Sequence, residues 1–355
     1  MHNTQNPAMP FTDDVKSSLR IAYALRRVPQ DRLAGVLPCP DTPRTGDIVL
    51  AEVEKIGKNA SLEVTDGRSC RLHAGDRLAV VFGNRYATMQ FEGYARAEGK
   101  RCDLLSKGGV CGVVASKHAA VPDPTKLRLL GAIADERGHP LRLGDFALAP
   151  PPARERPRVI VVCGTSMDAG KTHTATSLIK GLQQQGCRVA GIKLTGTATG
   201  KDTWSFLDAG ACAALNFVDG GYPSTYLCTT QELLSLYDLL LAHAASHRAE
   251  WAVVEIADGL LQLETAALLK TKRFTAAVDA WIFAASDPLG AAAGLRMLRS
   301  WGIAPLAVSG IVCMSPLAMK EAEAATGLPC LPGQELERGR LTAQLLEAVP
   351  SLVSA

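Results

Sequence analysis

The stretch Gly164-Thr165-Ser166-Met167-Asp168-Ala169-Gly170-Lys171-Thr172 satisfies the pattern G-x-x-x-x-G-K-[ST] in full. Each residue type in that pattern has a physical task. Glycines let the backbone curl so that successive N–H groups converge, and a helix starting at the end of the loop adds the positive end of its dipole. An oxyanion, above all a polyphosphate, is what such a point attracts. Lys171 can neutralise the outer phosphates, and Thr172 can offer its hydroxyl to Mg2+. The candidate nucleotide-binding residues run from Gly164 to Thr172 and include His173 in the first helical turn, although a histidine on a helix surface is the plainer reading there.

Such a loop needs a strand to deliver it and a helix to leave it. Arg158 to Cys163 (RVIVVC) supplies the strand, and a helix is expected from Lys171. Apolar segments then alternate with helical stretches: RVAGIKL, AALNFV, WAVVEIA, DAWIFAA and APLAVSGIVC, with helices from about residues 203, 231, 290 and 316. This alternation predicts an α/β domain with a parallel sheet covered by helices on both faces.

Ligands of parallel sheets bind beyond the carboxyl ends of the strands, so polar residues at those ends are the next candidates. One strand ends in GIKLTGT with Lys193, Thr195 and Thr197, followed by Gly200-Lys201-Asp202. Another ends in VVEIADG with Glu255 and Asp258. Thr172, Asp202 and Glu255 are the candidate Mg2+ ligands, with a helix cap as the alternative role for each acid and Asp258 as the rival of Glu255. Lys193 ends a buried strand, where an ammonium needs an anion to meet it. Asp219, Tyr222, Ser224 and Thr225 belong to a loop rich in glycine and hydroxyls, a candidate substrate loop or an ordinary turn around Pro223. Thr195, Thr197 and Asp258 join them as candidate substrate residues.

The segment Ala149 to Arg158 (APPPARERPR) concentrates proline and charge and reads as a linker, giving domains at 1–148 and 158–355 around residues 149–157. Upstream, Val15, Leu19, Ile21, Ala22 and Leu25 follow Thr12-Asp13-Asp14 at near-helical spacing and predict one amphipathic helix. From Gly46 onward, short β-rich runs separated by Gly57-Lys58-Asn59, Asp66-Gly67, Ala74-Gly75-Asp76 and Gly83-Asn84 predict a small antiparallel barrel or sandwich. Arg85, Tyr86, Phe91 and Tyr94, with the glycines of LLSKGGVCGVV, are candidates for a ligand-facing rim.

Composition excludes several function classes. With 47% hydrophobic residues, the 355-residue chain is not predominantly disordered. A net charge of only +3 provides no field for nucleic acid or an anionic membrane. No run of about twenty apolar residues and no secretory pattern at the start is present, so a soluble cytoplasmic protein is expected. The ten cysteines include no Cys-x-x-Cys and mostly lie in apolar stretches, as buried thiols in a reducing compartment do.

GTSMDAGKT, GIKLTGT and VVEIADG together resemble the dethiobiotin synthetase branch of the P-loop NTPases over about residues 158–335. Asp168 stands where that family has its loop acid, and Lys193 with Thr197 matches its Lys-x-x-x-Ser with threonine for serine. GIVCMSP and LPCLPGQEL are similar to the segments that receive the base. The resemblance implies catalysis by Lys171, Lys193 and Asp168, with ATP and Mg2+ as cofactors. The implied reaction is γ-phosphoryl transfer to a small-molecule carboxylate or carbamate, with an amine co-substrate capturing the anhydride in ligation or cyclisation. The chain departs from that family in its N-terminal β-rich domain, in the 219–225 loop and in Ile256, which follows the acid where the family has glycine. Gly164 is not followed by the lysine of ParA or MinD ATPases. A nucleotide-switched regulatory or cofactor-delivery NTPase, a small-molecule kinase and a homodimer all stay open, and ATP is favoured over GTP because no Asn/Thr-Lys-x-Asp guanine reader is present.

Overall fold

The computed structural model describes residues 8–342 and Leu345. The C-terminal end of the expected second domain, 343–344 and 346–355, lies outside the described residues. Two compact units share the chain. One comprises the residues up to Ala149 together with Gly196–Lys201 and Phe217–Leu227; the other comprises Pro150–Thr195, Asp202–Asn216 and the chain from Cys228 onward. The linear boundaries at 148 and 158 make no provision for those two returning segments.

The N-terminal unit contains β1 (Met9–Pro10), α1 (Asp13–Ser18), β2 (Arg20–Ile21), β3 (Gly35–Leu37), β4 (Ile48–Lys55), β5 (Ser61–Glu63), β6 (Ser69–Arg71), β7 (Arg77–Phe82), β8 (Phe91–Tyr94), β9 (Arg101–Leu104), β10 (Val110–Lys117) and β11 (Thr125–Ala134). β4 pairs with β7, β7 with β10, β10 with β9, β9 with β11 and β11 with β4, so five strands close a ring. The β7–β10 pair is parallel, so the expected all-antiparallel barrel is mixed. Val49, Ala51 and Val53 of β4 and Leu78, Val80 and Phe82 of β7 alternate into its core.

The long amphipathic helix expected over 11–35 does not form. Thr12 caps α1 by accepting the Val15 N–H, but the helix is six residues long and buries none of them. Arg20 and Ile21 instead pair with Leu78 and Ala79 of β7, and sheet pairing overrides the helical spacing. Two of the four side chains expected at a ligand-facing rim are buried. Phe91 is fully buried, and Arg85 donates to Leu105 C=O and Gln90. An added Cβ at Gly83 or Gly108 meets Pro223 or Ala198, residues of the unit's own returning segments.

Glu63 holds one of those segments. Its carboxylate is 9% exposed and accepts from the Thr199 hydroxyl at 3.1 Å and the Gly200 N–H at 2.9 Å. Hydrogen bonds to a charged group contribute about 1.5–3 kcal/mol each, so Glu63→Ala is expected to destabilise this unit by about 3 kcal/mol or more in denaturant unfolding. A loss within experimental error contradicts the anchoring role.

The C-terminal unit alternates strands and helices in the order β12 (Arg158–Gly164), α2 (Lys171–Gln184), β13 (Val189–Lys193), α3 (Lys201–Asp208), β14 (Ala213–Asn216), α4 (Thr230–Ser246), β15 (Trp251–Glu255), α5 (Leu263–Lys270), α6 (Lys272–Thr275), β16 (Ala280–Ala284), α7 (Pro288–Ser300), β17 (Ala307–Ser309), α8 (Pro316–Thr326) and α9 (Gly333–Glu337). The sheet order is β14-β13-β15-β12-β16-β17 and every pairing is parallel. Ile160, Val162, Val253 and Ile282 turn towards Leu178 of α2, Phe206 of α3 and Leu336 of α9. Trp281 turns the other way and meets Phe274 of α6 edge-on. This mixed α/β architecture, with a strand–loop–helix at its centre, is compatible with a P-loop NTPase fold. Among the described residues no helix is long and apolar enough to cross a membrane, and none of the ten cysteines is in a disulfide.

Candidate functional site

β12 lies between β15 and β16 in the sheet, so the loop that leaves it is flanked by the ends of both neighbours. Thr165 N–H donates to Ala284 C=O at 3.0 Å, and Ala169 C=O accepts the Ile311 N–H at 3.1 Å. Gly170 caps α2 at φ 92°, in the left-handed region, and a Cβ there meets Gly310 Cα at 2.8 Å. A Cβ at Gly164 meets the Lys171 stem at 2.9 Å, so this glycine leaves room for the lysine to fold back over the loop. Asp168 is the loop's one non-glycine residue at positive φ, 62°.

The first bond inside α2 runs from Thr174 N–H to Gly170 C=O at 2.9 Å, and no side chain caps the helix. The N–H groups of Lys171, Thr172 and His173 thus precede the helical ladder, an arrangement suited to an anion.

Three further side chains meet at this point. Thr172 donates its hydroxyl to Glu255 Oε1 at 2.9 Å and to Asp202 Oδ1 at 3.3 Å. Lys193 Nζ lies 2.5 Å from Glu255 Oε1 and 2.9 Å from Asp202 Oδ2. The parallel register puts Lys193 beside Glu255, which is why two strands far apart in sequence deliver one ion pair. Lys171 is 5% exposed and donates to Ser166 C=O at 2.6 Å.

Burial moves these groups in different directions. It pulls Lys171 below the ordinary lysine range, a shift that neighbouring Lys193 reinforces and Glu255 and Asp258 oppose. Burial also works against the Lys193 ammonium, but Asp202 and Glu255 together outweigh it and hold Lys193 above the usual range. Glu255 is raised, by burial first and then by Asp202, against the pull of Lys193. Glu255 is 1% exposed, and its Oε2 has no hydrogen-bond partner.

That orphaned oxygen bears on Mg2+. Among the described residues no group of three or more His, Cys, Asp or Glu side chains is placed to hold a metal ion. Mg2+ usually takes one or two carboxylates with phosphate oxygens and waters, so Thr172, Glu255 and Asp202 fit an ion that arrives with its nucleotide.

The remaining candidates divide. Asp258, at φ 62°, lies close enough to Lys171 to raise its pKa. Thr195 is buried, and its hydroxyl oxygen accepts the Ala257 N–H at 2.8 Å, tying the ends of β13 and β15 together. His173 is solvent-exposed with its imidazole beside Gly333, at the start of α9. Thr197, Asp219, Tyr222, Ser224 and Thr225, expected as substrate residues, belong to the N-terminal unit. There Asp219 pairs with Arg26 at 2.8 Å, the Thr225 hydroxyl oxygen accepts the Gly196 N–H at 2.8 Å, and Thr197 forms a bridge with Ser224. Their polar groups tie that unit together.

Sequence reasoning missed Ser286. Its hydroxyl lies 3.3 Å from the Thr165 hydroxyl and 3.2 Å from that of Ser166. The available signal was its place just past the carboxyl end of β16, which flanks the loop.

No family model matches the chain. No curated protein matches it either. Among solved structures it is similar to the signal recognition particle 54 kDa protein of Aeropyrum pernix K1 in complex with GDP, at 19% identity over 56% of this chain and 47% of that one, with a TM-score of 0.35. It is also similar to the signal recognition particle receptor FtsY of Elizabethkingia anophelis in complex with GDP, at 14% identity over 55% of this chain and 67% of that one, with a TM-score of 0.35. The likeness spans about half the length of the first of these proteins, and at such scores it bears on neither substrate nor activity.

Proposed function

We propose that the chain is a Mg2+-dependent nucleoside triphosphate enzyme that transfers the γ-phosphoryl group of ATP to a small-molecule carboxylate or carbamate. The observation that carries this reading is the meeting of Lys193, Asp202, Glu255 and Thr172 at the uncapped start of α2, next to Lys171. Two ammonium groups and two carboxylates sum to no net charge, so attraction for phosphate comes from the converging N–H groups and from Mg2+ held by Thr172, Glu255 and Asp202. When bound, Mg2+ supplies Lewis-acid stabilisation of the phosphate oxygens. Lys171 and Lys193 supply donors that stabilise charge developing during phosphoryl transfer, which needs little beyond positioning and compensation. The carboxylate acceptor and the amine that captures the anhydride rest on the resemblance of residues 158–335 to dethiobiotin synthetases.

One observation favours a second reading, a nucleotide-switched NTPase. The residues that join Lys193 to Asp202 include Gly196–Lys201, which cluster with the N-terminal unit and are held there by Glu63. Phosphate release from Mg·ATP separates the two readings. The synthetase releases phosphate only when a carboxylate and an amine are supplied from a metabolite panel, and Glu255→Gln lowers that turnover by about a hundredfold or more. Slow release that no acid or amine accelerates rejects the synthetase and leaves the switch, and Glu255→Gln turnover equal to wild type removes the metal role of Glu255.

A further inference from the structure

Two of the ten thiols meet behind the phosphate loop. Val308 of β17 forms a parallel bridge with Cys330, and Leu331 N–H donates to Val308 C=O at 2.8 Å. The chain turns at Gly310, and the tight turn Ile311–Met314 brings Cys313 back until its Sγ lies 4.0 Å from the same Val308 carbonyl. Both cysteines are thus fixed on one residue, with their thiols near enough for each to perturb the other's titration. Cys330 is 3% exposed and Cys313 is 9% exposed.

We propose that Cys313 and Cys330 form an oxidation site that closes reversibly to a disulfide, with hydrogen peroxide as the oxidant. The neighbouring Cys313 thiol lowers the pKa of Cys330 and favours its thiolate, the nucleophilic form. The Cys330 thiolate attacks one peroxide oxygen, the O–O bond breaks, and hydroxide leaves a sulfenic acid on Cys330. The Cys313 sulfur then attacks that sulfur, the S–O bond breaks, and the departing hydroxide takes the Cys313 proton as water. In sum, two thiols and one hydrogen peroxide give a disulfide and two waters.

The turn that carries Cys313 also braces the phosphate loop. Ile311 N–H donates to Ala169 C=O, and Gly310 packs against Gly170. Drawing Cys313 onto Cys330 loads that brace, so the oxidised protein binds Mg·ATP more weakly; this consequence, unlike the disulfide itself, rests on the nucleotide reading above.

The test treats the full chain with hydrogen peroxide, maps disulfides by mass spectrometry of non-reduced digests, and titrates Mg·ATP before and after. The expected result is a Cys313–Cys330 cross-link that dithiothreitol reverses, absent in Cys313→Ser and Cys330→Ser, with Mg·ATP affinity several-fold lower in the oxidised wild type only. A second neighbouring pair, Cys102 with the fully buried Cys111, serves as an internal control that stays reduced. Cysteines 313 and 330 that stay unlinked while other thiols oxidise overturn the site. A cross-link that leaves Mg·ATP affinity unchanged overturns the coupling. Formation of the cross-link in a protein whose reduced form binds no Mg·ATP sustains the oxidation site and rejects the nucleotide reading.

Discussion

Replacing Lys171 by methionine is expected to weaken Mg·ATP binding by about a hundredfold while making the free protein more stable, because one ammonium serves the phosphate and burdens the fold. In the absence of phosphate, Lys171 is nearly buried with the Ser166 carbonyl as its acceptor, and burial holds its pKa below the ordinary 10.5. Exchanging a buried charge for an apolar side chain of similar size stabilises by about 1 kcal/mol or more, and that raises the unfolding temperature by about 2–4 °C for a unit of this size. The pH dependence has a definite sign. The folded-state pKa lies below the unfolded one, so the unfolded chain holds the proton more tightly and the penalty is complete below the folded value. It fades as pH rises through the folded pKa towards 10.5, and the advantage of Lys171→Met fades with it. Thermal unfolding at a series of pH values, with and without Mg·ATP, reads both effects. A variant that is less stable than wild type and binds Mg·ATP as well contradicts them.

Lys193→Met is expected to have the opposite effect on stability. The ammonium lies between Asp202 and Glu255, and its removal leaves two neighbouring carboxylates uncompensated, one of them buried. Breaking a buried ion pair by removing one partner costs about 3–5 kcal/mol. The same change turns the two carboxylates and the Thr172 hydroxyl into a better cation site. Millimolar Mg2+ should therefore raise the unfolding temperature of Lys193→Met by several degrees and that of wild type by much less. A variant as stable as wild type removes the ion pair from the account, and one that Mg2+ does not rescue removes the metal site. Turnover should fall in either metal condition, because Mg2+ at the carboxylates does not replace the second ammonium on which the proposed phosphoryl transfer relies.

Much of the strand–loop–helix over 158–184 was legible in the chain because its demands are local. A loop that must converge N–H groups needs glycine at fixed places, and the strand before it and the helix after it have different apolar periods. The partners of Lys193 were half legible. An ammonium at the end of a buried strand calls for an anion, and the expected anion was a phosphate or a substrate carboxylate; the parallel register supplies Glu255, and α3 supplies Asp202. Where residues 196–201 and 217–227 reside was not legible at all. The glycines and hydroxyls of 219–225 read as a substrate loop or an ordinary turn around Pro223, yet Glu63, Arg26 and the barrel glycines claim both segments through pairings about ninety residues or more away in sequence. The N-terminal helix failed for a related reason, since the spacing that suggested it was outweighed by pairing with β7.

Amide hydrogen exchange decides whether residues 164–173 grip a polyphosphate. The N–H groups of Lys171, Thr172 and His173 lie outside the ladder of α2, and under the proposed function a phosphate is their acceptor. On adding Mg·ATP to the full chain, peptides spanning 164–173 should slow their exchange by an order of magnitude or more, and Lys171→Met should show no such change. Unchanged exchange in this segment at saturating nucleotide, or protection that appears only elsewhere, would place the phosphates at another site and leave the ion pair of Lys193 with Glu255 a purely structural one.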